Sequence, residues 1–136
     1  MKKHLRRIFL PIIAVIASWS IAATPAFAYD ESMHTNDGDP GGVVYWTAYG
    51  DKFEVCDIEA DGWAVVGSID TSKYYDGPYD GGYSLTVGGN GKCVYRDAGD
   101  GGAYDLPENT YVRVYVCLYK DGGYGEYCDL SVWLNN

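Results

Sequence analysis

Asp57, Glu59 and Asp61, with Gly62 behind them, stand at the spacing of the first ligands of a calcium-binding EF-hand loop, D-x-[DN]-x-[DN]-G. The pattern fails where it should be strongest. Its twelfth position, which needs a bidentate Glu, is Ser68, and the flanking residues alternate like strands instead of helices. A solvated acidic turn accounts for the same three residues and is the main expectation; calcium is the minor one. No cofactor is expected.

Catalysis finds little support in the residue types. The two histidines, His4 and His34, lie in or near the N-terminal leader, where neither is held beside a core serine. With 19 Asp and Glu, some carboxylate pair falls within glycosidase distance by chance, so a pair alone carries no information. A domain of about a hundred residues rarely encloses the deep cleft that glycoside hydrolysis needs. The expectation is a protein that does not catalyse.

All four cysteines, Cys56, Cys93, Cys117 and Cys128, follow the leader, and their number is even. Zinc is disfavoured because no two stand two to four residues apart. Two disulfides are expected, which also removes a thiol nucleophile. Of the three possible connectivities, Cys117 with Cys128 and Cys56 with Cys93 is preferred, the first closing a short hairpin-like loop.

Tyrosine is the unusual component: all 14 lie after the leader, several in segments that read as loops. Tyr74, Tyr75, Asp76, Tyr79 and Asp80 fall in one such segment, and Asp100 and Tyr104 in another. Tyrosine presents a large amphipathic area at small entropic loss, and its ring stacks on sugar faces while neighbouring carboxylates accept hydroxyl hydrogen bonds. These seven residues are the candidate ligand-binding set. Soluble turns with tyrosines lying back over the fold are the alternative.

The elements that must position them follow from patterning. Lys2, Lys3, Arg6 and Arg7 precede an apolar run and then Ala26-Phe27-Ala28, the order of a signal peptide over 1–28. Arg6-Arg7-Ile8-Phe9-Leu10 is similar to a twin-arginine export signal, with an ordinary basic n-region as the alternative. Residues 29–42 are polar, carry Gly, Asp and Pro, and read as a flexible lead-in. From 43 to 136, seven short β-branched and aromatic runs are divided by Gly, Asp and Asn clusters, predicting strands at 43–49, 52–58, 63–70, 82–87, 92–96, 111–119 and 128–134.

Val112, Val114, Val116 and Leu118 alternate with Tyr111, Arg113, Tyr115 and Tyr119, as in a strand buried on one side, and Leu130, Val132 and Leu134 extend the apolar pattern. The fold class is therefore all-β, an antiparallel β-sandwich with about seven strands, with a jelly roll or small barrel as the alternative. The turn at 50–51 and the loops 71–81 and 97–110 would then emerge at one end.

The stretch Leu106-Pro107-Glu108-Asn109-Thr110-Tyr111-Val112-Arg113-Val114 resembles the E–F corner of fibronectin-III and other immunoglobulin-like sandwiches, which implies a tyrosine corner at Tyr111. The run from Gly41-Gly42-Val43-Val44-Tyr45-Trp46 through Phe53-Glu54-Val55-Cys56-Asp57 to Ala60-Asp61-Gly62 is similar to small exported actinobacterial proteins of unassigned function, and implies no activity.

Charge narrows the partners. Four of the ten Lys and Arg lie in the leader, leaving six against 19 acidic residues, a net charge of −13 for 29–136. Nucleic acid and anionic lipid are disfavoured. The expectation is a secreted, extracellular binding module, for an extracellular or cell-wall glycan. An inhibitor or interaction protein for an extracellular protein partner is the second reading, and a structural surface protein the third.

Overall fold

A computed structural model describes residues 29–120 and 122–136. The leader expected over 1–28 lies outside the described residues. The chain forms β1 (Glu31–His34), β2 (Gly42–Thr47), β3 (Lys52–Asp57), β4 (Ala64–Ser72), β5 (Gly82–Gly88), β6 (Lys92–Arg96), β7 (Thr110–Tyr119) and β8 (Glu126–Asn135). Two 3-10 turns, Ala98–Asp100 and Gly102–Tyr104, lie between β6 and β7. The strands make two antiparallel four-stranded sheets, in the orders β1-β2-β3-β6 and β5-β4-β7-β8. With β1 set aside, lettering the other seven strands A, B, C, C′, E, F and G yields sheets A-B-E and C′-C-F-G, the immunoglobulin-like arrangement. The expected all-β sandwich is therefore the fold, with one strand added.

Alternation builds the core. Val44, Trp46, Phe53 and Val55 of the first sheet face Val65, Ile69, Val112, Val114 and Val116 of the second, and all are buried. Gly67 sets how closely the sheets approach. A Cβ there would lie 2.5 Å from Val55 Cγ2 and 2.9 Å from Val44 Cγ1, so only hydrogen fits between the layers. Both expected disulfides form, Cys56–Cys93 between β3 and β6 and Cys117–Cys128 between β7 and β8. Each lies within one sheet, so neither disulfide joins the two sheets. Among the described residues, no helix is long and apolar enough to cross a membrane.

Two expectations need correction. Residues 29–42 are not a flexible lead-in: Glu31–His34 pairs with β2 from Glu31↔Trp46 to His34↔Val43, and Met33 enters the core. Asp37 closes the following turn by accepting from the Thr35 hydroxyl (2.8 Å) and the Gly41 N–H (3.1 Å). A four-residue strand with one inward side chain is too short to leave a readable period.

The second correction concerns β8, whose faces are reversed. Its register sets Trp133 opposite Val112 and Leu134 opposite Tyr111. Residues directly opposite share a face, so Trp133 turns inward while Leu130 and Leu134 stay 47% and 48% exposed. A bulge at Val116/Leu118 absorbs the register shift, and Tyr127, at φ 51°, offers its carbonyl to the Asn36 N–H at 2.9 Å. That bond ties the segment after β1 to the edge of the opposite sheet.

Replacing Gly67 by Ala is expected to destabilise the fold by about 1–3 kcal/mol through overpacking. Gly88→Ala, whose new carbon would meet Ala64 at an ordinary 3.4 Å, should change stability by less than about 0.5 kcal/mol. Equilibrium urea unfolding of the two variants distinguishes a close approach between sheets from a generic glycine effect.

Candidate functional site

The connections expected at one end do meet there, and a buried carboxylate joins them. Asp51, in the β2–β3 turn, is 1% exposed and at φ 53°. Its Oδ2 accepts from the Leu106 N–H at 2.8 Å and its Oδ1 from Asn135 Nδ2 at 2.8 Å. Asn135 Nδ2 also donates to the Pro107 carbonyl at 3.2 Å, and the Ala98 N–H to Gly50 O at 2.8 Å. Turn, long loop and last strand are thereby held as one body. Burial pushes the Asp51 carboxyl above its ordinary value; the two hydrogen bonds pull against this and nearby Asp105 adds to it.

This anchoring shapes a depression of about 640 Å³ between residues 71–80 and 107–110. Tyr74, Lys73 and Asp80 line one side, Pro107, Glu108 and Asn109 the other. The 73–81 loop is closed at its base, where the Asp80 N–H donates to Thr71 O at 2.9 Å and the Thr71 hydroxyl to Asp80 O at 2.9 Å, and is braced within by the Tyr79 hydroxyl donating to Tyr75 O at 3.0 Å. Tyr75 packs edge-on against Tyr111, with centroids 5.6 Å apart. Arg113 lies 4.1 Å over the Tyr79 ring and donates to Asp70 at 3.0 Å, and that hydrogen bond raises the guanidinium above its ordinary value.

The structure divides the seven expected binding residues. Tyr74 and Asp80 line the depression, Tyr75 and Tyr79 rest beside it against the outer face of β7, and Asp76 is exposed on the same loop. Asp100 and Tyr104 are elsewhere. Asp100 completes a capping box with Asp97 and stands 4.0 Å from Arg96, while Tyr104 packs edge-on against Tyr83 and under Arg96. Those contacts give the two residues structural roles at the β5–β6 side.

Tyr111 meets Tyr75 beside the depression, and Arg113 and Tyr115 continue the same outward face along β7, although the loop-based reading does not include them. Their outward alternation with Val112 and Val114 was the available signal. Tyr111 does not act as a tyrosine corner: its ring faces Tyr75 outside the sandwich, and Asn135 bonds the Pro107 carbonyl.

The acidic stretch does not form a converging ligand set. Asp57 is buried and accepts from the Gly89 and Glu59 N–H groups at 2.6 and 3.3 Å, while Asp61 accepts from the Trp63 N–H at 2.8 Å. Glu59 is raised above its ordinary value by desolvation and by the carboxylates of Asp39, Asp61, Asp37 and Asp57. Among the described residues, the one group of three potential ligand atoms within 4.8 Å is Glu54, Cys56 and Cys93, whose sulfurs are joined to each other.

Compared with known proteins, the chain matches no family model, no curated protein and no solved structure.

Asp51 generates a prediction with a sign. A carboxyl raised by folding stabilises the fold while it is protonated, so its contribution is full below the ordinary value of 3.8 and fades as pH rises through the raised value. Asp51→Asn, which cannot ionise, should lose that pH dependence when urea unfolding is compared with the parent across this window. Asp51→Ala leaves the Leu106 N–H and the Asn135 amide without their acceptor and should cost roughly 2–5 kcal/mol at any pH.

Proposed function

We propose that this chain is a secreted, non-catalytic binding module whose ligand is an extracellular or cell-wall glycan, held at the depression between 71–80 and 107–110. One observation carries the reading: the Tyr74 ring shares one open concavity with the polar side chains of Asp80, Glu108 and Asn109, and the Tyr75–Tyr111 pair lies next to it, Tyr111 following the lining residue Thr110. Sugar rings have apolar faces that stack on tyrosine and hydroxyls that exchange hydrogen bonds with carboxylate and amide groups. The open, shallow form suits a ligand that is gripped and not chemically altered.

The two disulfides are in keeping with an oxidising, extracellular setting. The acidic surface favours neutral sugars over nucleic acid or anionic lipid, and no membrane contact is invoked after leader removal. A protein-inhibitor role would call for a loop free of the sheet face, whereas Tyr75 and Tyr79 of the 73–81 loop rest against Tyr111 and Arg113 of β7.

The test is retention of residues 29–136 on cellulose, chitin and peptidoglycan, beside Tyr74→Ala and Tyr75→Ala. The parent is expected to be retained on one of them, and each variant to bind about fivefold more weakly, corresponding to about 1 kcal/mol per ring. Asp100→Asn, remote from the depression, should bind like the parent. Absence of retention on all three would replace this reading with a protein partner or a structural role.

A further inference from the structure

The outer face of the sheet β5-β4-β7-β8 extends well beyond the end depression. Along β7 the outward residues are Tyr111, Arg113, Tyr115, Cys117 and Tyr119, and all are only half-buried. Tyr111, Tyr115 and Tyr119 recur every fourth residue, placing them roughly 13 Å apart along the strand. On the β4–β5 side the outward positions beside Tyr115 and Tyr119 are small, Ser68 lying opposite Tyr115 and Ser84 and Ala64 opposite Tyr119 and Gly88, with Val66 between them. On the β8 side Leu134 and Leu130 stand opposite Tyr111 and Tyr115. A tyrosine ridge therefore borders a low floor. The floor is polar at its centre, where the Ser68 and Ser84 hydroxyls bond each other at 2.7 Å in an exposed position.

Both ends of this trough are concave. Tyr111 meets Tyr75 beside the first depression. At the other end Tyr119 lines a second depression of about 460 Å³, together with Trp63, Ala64, Gly88, Gly89 and Lys120. Midway, the Arg113 charge is answered by Asp70, and its guanidinium lies against the Tyr79 and Tyr115 rings at 4.1 and 5.3 Å. No unanswered charge interrupts the course of β7 between the depressions.

We infer that the ligand is the interior of a linear, uncharged, ribbon-like polysaccharide, lying along β7 from the first depression to the second, and not a single sugar or chain terminus. This rests on the glycan reading above and specifies its substrate class. Aromatic rings repeated along one strand match a polymer whose pyranose faces lie along a straight axis; a coiled, α-linked chain would leave the sheet after one contact. The net charge of −13 for 29–136, from six basic and 19 acidic residues, repels acidic polymers and leaves neutral ones.

Calorimetric titration with β-1,4-linked glucose and N-acetylglucosamine oligomers of two to six units tests this. For the series that binds, affinity is expected to rise about tenfold or more from dimer to hexamer, and Tyr119→Ala should remove that rise while leaving dimer affinity unchanged. Thr86→Trp, an outward β5 position beside the floor, should do the same by obstruction, with melting temperature confirming that both variants fold. Dimer and hexamer affinities that are equal would overturn the extended-ligand inference and leave the end depression as the whole site. If no oligomer binds, the inference and the glycan reading both fall; Tyr75→Ala lowering dimer affinity upholds the second independently of the first.

Discussion

Asp51 is the constraint on which the end carrying the candidate site depends. A carboxylate almost wholly out of water is unfavourable unless its oxygens are engaged, and here both are, by a backbone N–H from the long loop and by a side-chain amide from the last strand. The residues involved are separated by 55 and 84 positions in the chain, so the network forms only when both sheets are assembled. Without it, the 105–109 segment would have few ties to the sandwich, and the wall formed by Pro107, Glu108 and Asn109 would not have a defined place. Tyr83, which runs toward the same region, has its phenol raised by burial first and by the Asp51 charge next, a further mark of how little water reaches this corner.

Cohesion in the rest of the molecule is divided by direction. The disulfides tie neighbouring strands within each sheet, β3 to β6 and β7 to β8, on sides where sheet hydrogen bonds already act. Between the sheets packing is the main tie, with the Asp51–Asn135 and Asn36–Tyr127 hydrogen bonds at the margins, and Gly42 and Gly67 both sit where an added Cβ would strike an inward valine. The tie from Asn36 to Tyr127 and the insertion of Met33 close one open side, so β1 acts as a strap across the sandwich edge.

The outer faces of the two sheets are both rich in tyrosine but are arranged differently. On the first sheet Tyr29 stacks on Tyr45 at 4.4 Å and donates to Glu54, and Lys52 lies over the Tyr29 and Tyr95 rings. Those rings are engaged with one another and with charged neighbours. On the second sheet three half-buried tyrosines are spaced along a single strand, β7, with Ser68 and Ala64 on the β4 side of Tyr115 and Tyr119. Spacing, more than tyrosine content, is the reason the proposed ligand surface is assigned to the second face.

Strand positions were legible in the sequence because alternation and turn residues are local signals: seven expected strands match β2 to β8 to within two residues at each end. Two disulfides were legible from four cysteines, and Cys117–Cys128 from its short hairpin-like loop, whereas the preferred Cys56–Cys93 pair rests on β3 and β6 being neighbours in the sheet. Part of the candidate site followed, because Tyr74, Tyr75, Tyr79 and Asp80 share one loop. What remained hidden was non-local. The direction of β8 depends on register against β7, and a bulge at Tyr127 that no short window reveals sets which of Leu134 or Trp133 enters the core. The grouping of Asp80 with Asn109, and the separation of Tyr104 from both, depend on how loops distant in sequence are drawn together by Asp51. Local chemistry thus determined the strands and the disulfides, whereas the site belongs to the tertiary structure, because a surface assembled from separate loops has no contiguous signature in the chain.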